Sequence, residues 1–105
     1  MGTSTIRRVQ HIALFRFRST TKPEEIRRLL AELSELRGPI AGITDFVAGP
    51  YSSSEGLNQG YTHGFIMTFD SEKSRDGYLP HPEHEKVKNA IIPHVEGIVA
   101  FDFLC

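Results

Sequence analysis

Gln10-His11-Ile12-Ala13-Leu14-Phe15-Arg16-Phe17 decides the fold, together with the run that repeats its pattern, His63-Gly64-Phe65-Ile66-Met67-Thr68-Phe69. With Val9 added, the odd positions Val9, His11, Ala13, Phe15 and Phe17 share one face at the period of two that a β-strand imposes, while Ile12 and Leu14 make the other face apolar as well. A strand covered on both sides is the expectation. The second run is in the same phase: His11 stands six residues before Phe17, and His63 stands six residues before Phe69.

Working outward, Thr21 is placed to cap a helix, Pro23 suits its first turn, and Glu24 and Glu25 favour its positive end. Ile26, Leu29, Leu30, Leu33 and Leu36 form the helical stripe, and Arg37-Gly38-Pro39 ends it. A strand is expected from Ile43 to Tyr51, then a polar loop over residues 52–60, then a third strand from Tyr61 to Asp70. Ser71 can cap a short helix carrying Tyr78, Pro80 and Pro82 interrupt it, and Glu83 to Asn89 can resume as a helix before Pro93. Val95 to Leu104 reads as the last strand. The order strand, helix, strand, strand, helix, strand is the split βαβ arrangement of an α+β, ferredoxin-like subunit. Its first and third strands are expected side by side and parallel, which would put His11 and His63 on the same face at the same end. The opposite face, with Ile12, Leu14, Gly64 and Ile66, would then be a surface for a second copy, two sheets stacking into a dimer.

Composition bounds the partners. The 105 residues fit a single domain, with its core over about residues 8–104, and a chain of this size removes only about 65% of its unfolded surface on folding, so association would add burial. Twelve basic against thirteen acidic residues leave a net charge of −1 and no broad field for nucleic acid or anionic lipid, even with the Arg7-Arg8 pair. No signal-peptide core or membrane span is read, and Gly2 is followed by Ile6 where a myristoylation signal requires Ser or Thr. A cytoplasmic protein is expected. The single Cys105 supports no disulfide framework.

The residues that carry chemistry are Tyr61-Thr62-His63 and Tyr78-Leu79-Pro80-His81-Pro82-Glu83-His84, joined by His11 from the first strand. An imidazole near its ordinary pKa accepts a proton at neutral pH, and a phenol donates to a carbonyl whose charge grows as an enolate forms. Tyr78 and His84 are the candidate catalytic pair, and Phe15, Phe65, Met67, Leu30 and Val87 the candidate apolar walls. A cofactor-free aldol or Claisen-type closure needs a cavity, a base and an oxyanion donor. The alternative is that Tyr78 and His84 hydrogen-bond each other and only fix the Pro-interrupted turn. His11 and His63 are either ligand contacts and supports for the His84 tautomer, or a satisfied core pair. No cofactor is called for. No metal is expected either, because no cysteine or paired carboxylate completes a site around His11, His63, His81 and His84. His81 reads as a turn residue and His94 as a surface or interface histidine.

These segments resemble the stress-responsive dimeric α/β-barrel family, whose plant members include stress-induced proteins and a polyketide cyclase. The resemblance is carried by residues 11–17, by Gly60-Tyr61-Thr62-His63, by Thr68-Phe69-Asp70-Ser71, by residues 78–84 and by Ala100-Phe101-Asp102-Phe103. It implies a ferredoxin-like subunit in a homodimer with sheets face to face. It further implies catalysis at Tyr78 and His84, with His11 and His63 lining the same cleft. The helix with Leu29, Leu30 and Leu33 differs from the one that shapes the cyclase's alkyl pocket, which has an aromatic cluster. Two function classes follow: a small acid-base cyclase, lyase or isomerase acting on a carbonyl substrate, or a non-catalytic dimer that binds a small apolar ligand in stress tolerance.

Overall fold

In a computed structural model that describes residues 6–105, the first strand, β1, runs from Val9 to Phe17 with the expected alternation. The myristoylation reading at Gly2 lies outside the described residues. Helix α1 (Pro23–Glu35) begins with Pro at its first turn, but Lys22 is its N-cap and makes no side-chain cap bond. The Thr21 hydroxyl, expected there, donates instead to the His94 carbonyl at 3.3 Å and ties the start of α1 to the start of the last strand. Leu29, Leu33 and Leu36 are buried, with Ile26 and Leu30 half-buried beside them.

The remaining elements are β2 (Ile43–Pro50), β3 (His63–Phe69), α2 (Glu72–Tyr78), α3 (Pro82–Ile91), one 3₁₀ turn at Ile92–His94, and β4 (Val95–Leu104). Gly42, just before β2, lies close against Ser74 of α2. It has φ +94°, and a Cβ there would stand 2.4 Å from the Ser74 Cβ, so a side chain would be strained twice over.

The fold is the ferredoxin-like α+β arrangement, with strand order β2-β3-β1-β4 and every pairing antiparallel. This corrects the expected direction of the central pair. In a split βαβ unit the crossover helix α1 makes β1 and β2 parallel, and the strand inserted between them, β3, opposes both. His11 therefore faces Met67, and His63 faces Phe15, four residue pairs away. The two histidines share the sheet face turned to the helices, but lie about 13 Å apart along the ladder at the usual rise of ~3.3 Å per residue.

That face carries the core. Val9, Leu29, Met67 and Phe69 are fully buried between sheet and helices, with Phe15, Phe17 and Ile91 around them. Among the described residues nothing forms a layer over the other face of the sheet: Phe101 is 63% exposed and Val47 54%, with Leu14, Ile66, Val99 and Phe103 also exposed.

Candidate functional site

The Pro-interrupted segment folds back on itself and assembles the site. Ser71 caps α2 by accepting a bond from the Ser74 amide at 3.2 Å, and seven helical residues later the chain buries Tyr78 to 1% exposure. Pro80 and Pro82 then force a turn, closed by the His81 amide on the Tyr78 carbonyl at 3.0 Å. His81 caps α3 through its Nδ1, which accepts from the Glu83 amide at 3.1 Å, so its turn role is structural. One turn into α3, His84 Nδ1 donates to the Leu79 carbonyl at 3.0 Å. A carbonyl only accepts, so Nδ1 holds the proton and Nε2 is left with its lone pair.

Tyr78 and His84 meet ring on ring, centroids 4.1 Å apart and planes 31° apart, and they do not hydrogen-bond each other. The Tyr78 hydroxyl has no hydrogen-bond partner among the described residues. His11 completes the group from β1, its ring 5.8 Å from that of Tyr78, with Phe65 at 5.5 Å and Phe69 at 6.2 Å. Its Nδ1 lies 2.6 Å from Asp102 Oδ1, directly across the β1–β4 ladder, and Arg75 Nη1 holds the other carboxylate oxygen at 2.8 Å.

Tyr78, His84, His11 and Phe65 line a cavity of about 190 Å³ between sheet and helices. Of the residues expected there, Tyr78, His84, His11, Phe15 and Phe65 are on its wall. Leu30, Met67, Val87 and His63 are not. Met67 and Val87 are in the core behind, and Leu33 and Ile91 take the wall positions on α1 and α3. His63 packs edge-on against Phe17 at 5.3 Å and bonds Thr62 Oγ1 at 2.9 Å, at the far end of β3. Ile98 and Ala100 of β4, Leu79 and the Lys88 stem complete the lining, so the cavity is chiefly apolar with two imidazoles and one phenol.

Burial pushes the Tyr78 phenol well above its ordinary value, with the Asp102 carboxylate adding to the shift, so Tyr78 is a neutral donor at any physiological pH. Burial lowers His84 more than its bond to Leu79 raises it, and it lowers His63 as well. At Asp102 burial opposes the charge, yet bonds from His11 and Arg75 outweigh it and hold the carboxyl below its usual range. The arrangement offers a neutral hydrogen-bond donor beside the His84 imidazole, which burial keeps neutral and able to accept a proton. Among the described residues no three His, Cys, Asp or Glu side chains are gathered as a metal site, and no helix is long and apolar enough to cross a membrane.

A pH dependence of stability follows. His84 and His63 have folded-state values below their ordinary 6.5, so as pH falls past that value the unfolded chain takes up protons that the folded chain refuses. Stability is therefore full above about pH 7.5 and falls toward pH 5. Asp102, whose value is also depressed, adds a further loss only at lower pH, as its own folded value is crossed. Thermal melts over that range check the sign, and His84→Ala should flatten the slope. Stability that rises on acidification would contradict it.

The family profile described as the stress responsive A/B barrel domain matches residues 9–105. The stress-response A/B barrel domain-containing protein HS1 of Arabidopsis thaliana is 30% identical over 95 residues, which are 90% of this chain and 87% of that protein. A dimeric ferredoxin-like protein of unknown function from Thermobifida fusca superposes with a TM-score of 0.81 at 26% identity, covering 96% of this chain and 93% of that one. A hydroxynitrile lyase from Passiflora edulis superposes with a TM-score of 0.86, covering 93% of each chain, at 21% identity, a likeness of fold alone.

Proposed function

Because this chain belongs to the stress-responsive A/B barrel family, we propose that it is a cofactor-independent, cytoplasmic acid-base enzyme that acts as a homodimer on a carbonyl substrate held in the Tyr78–His84 cleft. The observation that carries this reading is the Tyr78 hydroxyl: a donor on a side chain only 1% exposed, on a cavity wall, with no protein partner among the described residues. Buried donors are satisfied, so a donor left open toward a cavity is one that a ligand completes.

The reaction class follows from what faces the donor. A carbonyl oxygen accepts from Tyr78, the His84 Nε2 removes a proton from the carbon next to that carbonyl, and the enolate oxygen is held by the phenol as its charge grows. The enolate carbon then attacks a second carbonyl in the same molecule, as in a polyketide cyclase such as olivetolic acid cyclase. Run in reverse, the same groups serve a lyase. His84 carries the abstracted proton to the product, so no cofactor enters the balance. His11, Phe15 and Phe65 are the proposed substrate contacts; Leu33 and Ile91 hold the apolar part. His63, Leu30, Met67 and Val87 support this wall from behind or beyond it.

The test needs no natural substrate. Alkyl methyl ketones of graded length incubated in D₂O should take up deuterium next to the carbonyl faster with the protein than without it, read by NMR. Saturable binding of the same ketones without any acceleration would favour the second class, a non-catalytic dimer that stores or carries a small apolar ligand.

The homodimer is part of the same proposal. The open sheet face is apolar and is left uncovered by the described residues, and the Thermobifida fusca neighbour is dimeric. Light scattering at micromolar concentration should give twice the 11.8 kDa chain mass. Leu14→Glu, which would bury an unpaired charge between the sheets, should shift the protein to monomer. A wild-type monomer would overturn the assembly.

A further inference from the structure

His11 is joined to two residues that the cleft chemistry above does not use. We propose that Asp102 and Arg75 are positioning residues: together they fix His11 as the Nδ1–H tautomer, so that its Nε2 is a second proton acceptor on the cavity wall. The inference rests on the cleft reading for its use, but its geometry stands alone. Asp102 accepts from Arg75 on one oxygen at 2.8 Å and lies 2.6 Å from His11 Nδ1 on the other. An ionised carboxylate has no hydrogen to give, so the proton between them sits on Nδ1.

Nε2 is then the free end of the ring. His11 is 8% exposed, lines the cavity, and makes no hydrogen bond other than that to Asp102 among the described residues. An acceptor without a protein partner, on a residue of the wall that also holds the open Tyr78 hydroxyl, is a second ligand-facing group.

Arg75 gives the arrangement its fixity. It sits one turn before Tyr78 on α2 and reaches across to β4, so the helix that supplies the phenol also supplies the cation that anchors Asp102. Its guanidinium is pinned in turn by Asp76, 2.8 Å from Nε, and lies 3.9 Å from Glu72. A part-buried carboxylate needs a cation nearby. With Arg75 in that role, the imidazole is required only as a hydrogen-bond donor and keeps its lone pair for the cavity. Lysine at this position would bring the charge but not the fork that binds Asp76 and Asp102 together.

The test is imidazole ¹⁵N NMR on the full-length protein, with His11 assigned by the loss of its signals in His11→Gln. Wild type should show one tautomer, with hydrogen on Nδ1 and a bare Nε2. Asp102→Asn should mix or reverse the tautomers, and Arg75→Gln should broaden the equilibrium, with Arg75→Lys restoring part of it. Deuterium uptake should fall about tenfold to a hundredfold with the tautomer. If Asp102→Asn does not fold, Arg75→Gln, at a partly exposed side chain, decides alone. A His11 signal that keeps its single Nδ1–H form in the folded variants overturns the proposal, as does wild-type His11 protonated on Nε2. If the tautomer responds but wild type never exchanges ketone protons, the positioning stands and the enzymatic reading fails; exchange with an unresponsive tautomer means the reverse.

Discussion

His84→Ala is expected to lower deuterium uptake into a bound ketone by roughly two to four orders of magnitude, the range that a well-placed general base contributes. Tyr78→Phe should lower it by about two to three orders, as loss of one oxyanion donor does. Neither change should unfold the protein. The phenol and imidazole stack without a hydrogen bond, so truncating one strands no polar partner on the other. Tyr78→Phe keeps the ring that packs on Phe69 at 5.1 Å, and removes a hydroxyl that has no protein partner; its melting temperature should equal or exceed wild type. A stability-only role predicts the opposite pattern, with lower melting and no change in rate. Variants that retain the full wild-type rate on a compound the protein does turn over would refute the assigned roles.

The parts of this fold that were legible in the sequence are those where one face decides everything. β4 spans Val95–Leu104 as read, and the odd positions of β1 point to the core because burial at period two admits only one choice. The direction of β3 was not legible by that route. Matching phase between His11–Phe17 and His63–Phe69 fixes which face each histidine occupies, but it is the same whichever way the strand runs, so it does not tell that His63 lies opposite Phe15, at the other end from His11. The choice between Leu30 and Leu33 has a similar cause: both lie on the apolar stripe of α1, so the stripe alone does not tell which of them meets the cavity, and it is Leu33 that does. Asp102 did leave a signal. It occupies the inward phase of β4 with Ile98 and Ala100, and an inward carboxylate needs a donor, which pairing with β1 supplies as His11. Arg75 is not legible in this way, because its reach from α2 to Asp102 depends on the three-dimensional packing.

Phe69→Ala is expected to destabilise the protein by about 3–5 kcal/mol, the usual range for removing a buried phenylalanine. Phe69 ends β3 fully buried, opposite Val9 on β1 and Ile43 on β2, where the sheet meets α2. Its ring is the floor on which Tyr78 and His11 rest, so the cavity left by alanine opens directly under the site. For a domain of this length about 1 kcal/mol moves the melting temperature by roughly 4–8 °C, so a fall of tens of degrees is expected, and a chain with a typical total of about 5–15 kcal/mol would be close to unfolding at ambient temperature. Association stabilises the folded chain by mass action, so the melt of the variant should depend on concentration if the folded form is the dimer. Phe69→Leu separates floor from fold. It refills most of the volume at a cost of about 1 kcal/mol or a little more, but leaves no flat ring against Tyr78 and His11. That variant should stay folded and still lose part of the deuterium uptake. Melting of Phe69→Ala within a few degrees of wild type would mean that α2 is held to the sheet by other contacts, and that Tyr78 keeps its place without this support.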